Sequence, residues 1–382
     1  MDDRTLNILQ RELSEWLEAN PPIDGTKFAE GADVVLSTAK NARSENQDRA
    51  LFVRFSSPRK ERSFGLLAVL DGIGGMIDGG RCADICISSL ITAMVRVPRT
   101  RNRVTIVEAL RIANQAVWQR HYGRGGTTFA GVFFEQNKAH SVNIGDSHVY
   151  EYRPSRGLVQ KSADDRLGIQ FSKLKGLENV TLNPELSRRL AQYVGMQGLA
   201  RPHVVPLDTE FFETPNNYIV LSTDGSRAQH FAGQEVPGGD IDPRNIARIL
   251  MGTSSATSEP DNATVVCARA TALLSKSDRV WSPFEHLRVC SVHGVFNFVF
   301  PDVEVRPFPG VARRRERERQ KQPEPDKLES APESERTSST SVPPAPTSTP
   351  AEVEKPDAGD TVKPQVTIRQ LTFVPIPDEP TE

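Results

Sequence analysis

Phe64-Gly65-Leu66-Leu67-Ala68-Val69-Leu70-Asp71-Gly72-Ile73-Gly74-Gly75 is an apolar run that stops on a carboxylate and then on a glycine-rich turn. It reads as a strand delivering Asp71 to its end. The glycines leave the backbone free to turn sharply and present a carbonyl beside the carboxylate. Such a turn offers one side-chain and one main-chain oxygen to a hard cation such as Mg2+ or Mn2+. Asp-Gly turns are common, so this segment alone does not decide the chemistry.

Other aspartates recur in comparable settings on either side. Asp48 closes Asn46-Gln47-Asp48, and Asp146 lies in Asn143-Ile144-Gly145-Asp146-Ser147. Asp224 lies in Ser222-Thr223-Asp224-Gly225, and Asp261 opens Asp261-Asn262-Ala263-Thr264. Two unit charges about 4 Å apart repel by roughly 4 kcal/mol at an effective dielectric of 20. Carboxylates that converge in the fold therefore need a divalent cation among them, and the pattern predicts a two-metal hydrolase.

The flanking segments set the fold class. Residues 4–19 place apolar side chains at helical spacing, and Asn20-Pro21-Pro22 stops them. Strands are expected at Val34–Ser37, Ala50–Val53, Phe64–Leu70, Thr127–Phe134, Ala139–Ile144, Val149–Tyr152, Tyr218–Ser222 and Thr264–Ala268. A turn at Gln136-Asn137-Lys138 joins two of them. Helices are expected at Ala83–Val95, Val104–Arg120, Pro184–Leu190 and Asn245–Met251. Hairpin-linked strands with helices inserted between groups do not fit alternating β-α-β units. They predict an α+β fold, a central antiparallel β-sandwich flanked by helices in α-β-β-α layers.

Composition narrows the class of function. A chain of 382 residues with a net charge of -2 has no sustained basic field, which argues against a nucleic-acid binder. No apolar stretch reaches the ~18 residues of a membrane span. The start, Met1-Asp2-Asp3-Arg4, lacks the features of a secretory signal, so a cytoplasmic protein without membrane contact is expected. Cys82, Cys86, Cys267 and Cys290 form no disulfide framework, and Cys82 and Cys86 read as small buried residues. The expected organisation is an N-terminal helix (1–28), a catalytic domain (29–271) and a β extension (272–305). A disordered linker rich in Pro, Ser and Glu (306–362) and a strand-forming tail (363–382) follow. Val289–Phe300 alternates about a His293-Gly294 turn. Arg313–Arg319 reads as a solvated linker of mixed charge, and Val366–Val374 as a strand able to dock by addition to a sheet.

Taken in order, Arg43-Ser44-Glu45-Asn46-Gln47-Asp48, the Asp71 loop, Gly125-Gly126-Thr127-Thr128, the Asp146 turn, the Asp224 turn and Asp261-Asn262 form a series. Over roughly residues 32–268 it resembles the metal-dependent protein phosphatase type 2C family, in particular bacterial serine/threonine phosphatases. The resemblance implies hydrolysis of phosphoserine and phosphothreonine on proteins by water activated between two Mn2+ or Mg2+ ions. It implies that Asp71 bridges the ions, with Asp224 and Asp261 at the first site and Asp48 and the Gly72 carbonyl at the second. Asp146 is implied in a weaker third site, Arg43 as the phosphate clamp, and residues 165–200 as a variable flap. Three positions depart from the family pattern. Ile73 stands where many eukaryotic members have a histidine, which leaves the general acid unassigned. Gln47 replaces a glutamate. His148 replaces an arginine and reads as a tolerated surface change. A non-catalytic binding module and a small-molecule phosphoesterase are the alternative readings. Deleting residues 306–382 is expected to leave hydrolysis of a phosphothreonine peptide unchanged while altering binding to a partner. Comparing kcat/KM of the two chains checks this, and a large loss contradicts it.

Overall fold

A computed structural model describes residues 2–29, 31, 33–58, 62–96, 105–135, 138–174, 182–198, 201–236, 242–252, 261–275 and 284–300. The expected linker and tail, and the turn residues Gln136 and Asn137, lie outside the described residues. Helix α1 (Asp3–Ala19) leads into strands β1 (Gly25–Ala29), β2 (Val34–Ala39), β3 (Arg49–Ser56) and β4 (Phe64–Leu70). Helices α2 (Gly79–Arg96) and α3 (Thr105–His121) follow. Next come β5 (Phe129–Glu135), β6 (Lys138–Ile144), β7 (His148–Arg153) and β8 (Gly157–Gln160). The short helices α4 (Leu167–Ser172) and α5 (Pro184–Arg188), strand β9 (His203–Leu207) and helix α6 (Thr209–Glu213) precede β10 (Tyr218–Ser222). The described part closes with α7 (Pro243–Met251), β11 (Ala263–Arg269), α8 (Ala270–Ser275), β12 (His286–Ser291) and β13 (Val295–Val299).

The strands form a six-stranded sheet, ordered β1-β2-β11-β10-β7-β8, and a seven-stranded sheet, ordered β13-β12-β3-β4-β5-β6-β9. Strand β4 explains the layering. Its Leu67 and Val69 join Leu36, Val149, Ile219, Leu221 and Val266 of the other sheet in a core between the sheets. Its Leu66, Ala68 and Leu70 point the other way, against Ile87, Leu90, Ile91, Ile106 and Leu110 of α2 and α3. Both faces of β4 are covered, which is why its sequence is apolar without alternation. On the far face of the six-stranded sheet, Ile246 and Leu250 of α7 pack on Val35, Val220 and Val265. The layers are therefore α-β-β-α, as expected.

Several elements depart from the expected outline. The boundary expected at residues 28 and 29 falls inside β1, which pairs with β2 from Gly25↔Thr38 to Ala29↔Val34. Helix α1 joins the same core as α2 and α3 through Leu6, Leu9, Leu13 and Leu17. Strand β12 pairs with β3 along its length, so the β extension enlarges the seven-stranded sheet. Strands β1 and β9 carry little pattern because both are sheet edges. In β9, Pro206 interrupts the apolar series, and an edge is where a strand tolerates proline. Leu13→Ala is expected to lower unfolding free energy by about 2–5 kcal/mol, since a fully buried leucine leaves a cavity. Urea denaturation measures it.

Candidate metal centre

Strand register brings the motif aspartates to one end of the sandwich. Arg49 opposes Leu70, so Asp48 and Asp71 flank one β3–β4 pair. Ser222 opposes both His148 and Val265, which brings the Asp224 turn beside the Asp146 turn and the Asp261 loop. Thr38 opposes Thr264 in the neighbouring pair. Two close backbone approaches fix the turns. A Cβ on Gly72 would lie 2.4 Å from the carbonyl carbon of Gly79, and one on Gly225 would lie 2.0 Å from the Asn262 oxygen.

Each loop is tied at several points. The Asp71 carbonyl accepts from the Thr128 amide at 2.8 Å and from the Thr127 hydroxyl at 2.9 Å, while the Asp71 amide donates to Thr128 Oγ1 at 3.0 Å. Thr128 Oγ1 in turn meets Ser147 Oγ at 2.6 Å, joining the Asp71 and Asp146 turns. Asn262 holds the loop that carries Arg43. Its Nδ2 donates to the carbonyls of Lys40 (2.9 Å) and Glu45 (3.0 Å), and its Oδ1 accepts from the Gln47 amide at 2.8 Å. Arg43 Nη2 donates to Asp261 Oδ2 at 2.7 Å with both side chains partly open to solvent.

Asp48 lies at the floor, wholly buried. Thr223 Oγ1 donates to its Oδ2 at 2.8 Å, and its Oδ1 has no hydrogen-bond partner. Burial drives the Asp48 carboxyl up to about 7, with the charges of Asp224 and Asp261 adding to the shift and hydrogen bonds from Thr223 and Thr264 opposing it. Asp71 rises well above the ordinary carboxylate range, through burial and then the charges of Asp48, Asp224, Asp146 and Asp261. Asp146 rises to about 7 through burial and the charges of Asp224 and Asp164. Asp224 is exposed as a residue, but its carboxyl is also raised, by burial and then by Asp261, with the neighbouring Asp71 opposing the shift.

These residues suit a hard divalent cation. All offer oxygen, and one buried carboxylate oxygen on Asp48 lacks any donor. They do not form a ready coordination sphere. Among the described residues, no three His, Cys, Asp or Glu side chains are set out to hold an ion as they stand. Asp261 instead accepts from Arg43.

His148 is corrected from a surface residue to a buried one. It starts β7, its Nδ1 lies 3.1 Å from Ser162 Oγ, and burial drives it down to about 4, so it is neutral near pH 7. The sequence also hid Asp165. It is fully buried, accepts from the Gly145 amide at 2.9 Å and meets His203 Nε2 at 2.8 Å, which ties the residue 165–200 segment to the Asp146 turn. Its position between two unrelated loops leaves no periodic signal.

No protein-family model matches the sequence, and no curated protein does. Solved structures with a similar course of the chain are described as serine or serine/threonine phosphatases. The PPM Ser-Thr phosphatase MsPP from Mycobacterium smegmatis is 22% identical, with a TM-score of 0.46, over 62% of this chain and 97% of its own. Stp1 from Staphylococcus aureus is 17% identical, with a TM-score of 0.49, over 65% and 97%. The catalytic domain of PstP, in complex with two manganese ions, is 21% identical, with a TM-score of 0.45, over 62% and 96%.

With metal chelated, stability is expected to fall as pH rises from 6.5 to 8. The folded chain keeps protons on Asp48 and Asp146 up to about 7, whereas unfolded carboxyls lose them near ~3.9. That contribution is full below the unfolded value and is lost as pH rises through the folded one. His148 works in the opposite sense only below about 6.5, its unfolded value. Urea midpoints in EDTA at the two pH values check this, and a higher midpoint at pH 8 contradicts it.

Proposed function

We propose that this chain removes phosphate from phosphoserine and phosphothreonine on proteins, using two divalent cations. The observation that carries the reading is the strand register that brings Asp48, Asp71, Asp146, Asp224 and Asp261 to one end of the sandwich beside Arg43. Buried like charges of this kind are costly unless cations offset them. Asp71, Asp224 and Asp261 would hold one ion, and Asp71, Asp48 and the Gly72 carbonyl the other, with Asp146 and Asp224 available to a third. When bound, the ions supply a water acidified to near neutrality and neutralise developing charge on phosphate.

Arg43 binds the phosphate. Its guanidinium carries five N–H donors, and the bond and charge of Asp261 keep it protonated. The exposure of Arg43 and Asp224 suits a phosphate carried on a protein surface. Positioning and charge complementarity do the catalytic work, with no covalent phosphoenzyme. His148 is buried away from such a substrate, so proton delivery to the leaving alkoxide rests on water.

The test is phosphate release from a phosphothreonine peptide with Mn2+, beside p-nitrophenyl phosphate. Asp71→Asn and Asp224→Asn are each expected to lower kcat by about a hundredfold or more, with EDTA abolishing turnover. Equal release by the variants rejects the metal-assisted reading. Turnover of the small ester far above that of the peptide moves the substrate class.

A further inference from the structure

Asp48 is held by a directed chain of hydroxyl groups that runs between two strands of the six-stranded sheet. Thr264 donates its amide to Thr223 Oγ1 at 3.0 Å, which occupies the acceptor side of that hydroxyl. The Thr223 proton is then committed to Asp48 Oδ2, at 2.8 Å. A second arm starts at Asn46, whose Nδ2 donates to Thr38 Oγ1 at 2.9 Å. Thr38 Oγ1 lies 2.7 Å from Thr264 Oγ1, and Thr264 lies near enough to the Asp48 carboxyl to lower its pKa. An ionised carboxylate can only accept, which fixes the direction of the Thr223 bond to Asp48. Asn46 closes the circuit, because its Oδ1 accepts from the Asp48 amide at 3.1 Å. Every group in the chain is buried.

We propose that Thr223, backed by Thr264 and Thr38, is a positioning residue that presents Asp48 to a divalent cation through Oδ1 alone. The inference rests on the metal-assisted reading above. With Oδ2 taken by the Thr223 hydroxyl and Oδ1 left without a donor, the carboxylate has a single free oxygen. Aligned hydroxyl dipoles strengthen one another in a buried chain and also favour the charged form a cation requires. Threonine suits the task because a branched side chain has few rotamers, and Thr223, just past the end of β10, is held by the Thr264 amide.

The experiment compares full-length wild type, Thr223→Val and Thr223→Ser by Mn2+ calorimetry and by Mn2+ activation of phosphothreonine peptide hydrolysis. Valine keeps the shape and removes the donor. It is expected to weaken Mn2+ binding about tenfold or more, with serine restoring affinity to within about threefold of wild type. At saturating Mn2+, kcat of the valine variant is expected to stay within about threefold of wild type, because the lost bond acts on ion affinity. Valine binding Mn2+ as tightly as wild type, or serine failing as badly as valine, overturns the proposal. If circular dichroism shows the valine variant unfolded, Thr38→Val carries the test, with affinity expected about threefold weaker and no change overturning it. Wild type that binds Mn2+ yet hydrolyses no phosphopeptide sinks the phosphatase reading and leaves this one standing. Wild type that binds no Mn2+ sinks both.

Discussion

Repulsion among closely set carboxylates, with Asp48 and Asp146 buried, is the constraint around which this end of the protein is built. Burial raises the carboxyls of Asp48, Asp71, Asp146 and Asp224, and the charge of at least one neighbouring aspartate raises each further. A chain that gains nothing from such a cluster does better with apolar residues of similar size. The surrounding structure instead spends hydrogen bonds on holding the acids in place. Thr223 and Thr264 serve Asp48, Thr127 and Thr128 serve the Asp71 backbone, and Asp165 serves the Asp146 turn.

Antiparallel pairing makes the convergence possible from distant parts of the sequence. In a hairpin one strand ends where the next begins, so Asp71 at the end of β4 lies beside Asp48 at the start of β3. The same holds for the Asp224 turn after β10 and the Asp261 loop before β11. Stacking the two sheets then sets one pair of loops over the other, and the cross-sheet bond from Thr223 to Asp48 joins them. The core between the sheets, with Leu67, Val69, Leu221 and Val266, keeps that spacing rigid.

What was legible in the sequence follows from which signals are local. Strand β4 and helix α2 were readable because each is buried along nearly its whole length and so is apolar throughout. The aspartates were readable because each ends an apolar run or sits beside a glycine, and their order carried a resemblance that composition could not. Strand β1 was not, since only Ala29 of its residues is buried. His148 was misplaced because a polar residue after a turn suggests solvent, whereas the pairing with Ser222 draws it inside. The threonines beneath Asp48 were invisible for a different reason. Thr38 and Thr264 look like ordinary strand residues, and their function lies in a contact between residues 226 apart in sequence.

Arg43 brings the same electrostatics to the rim. Its Nη2 bonds Asp261 at 2.7 Å, and the pair is open to solvent, so the ion pair itself adds little stability. Its value is orientation. Asn262 and Asn41 pin the loop and the Asp261 backbone on which the pair depends, through bonds of 2.7–3.0 Å. A guanidinium that gives one edge to a carboxylate retains its remaining N–H groups in a fixed plane for phosphate oxygens. Lysine at this position would keep the charge but lose that division of labour, because a point-charge ammonium pulled onto Asp261 has no second edge to offer. In the proposed phosphate clamp, the acid that draws Arg43 down is therefore also what aims it.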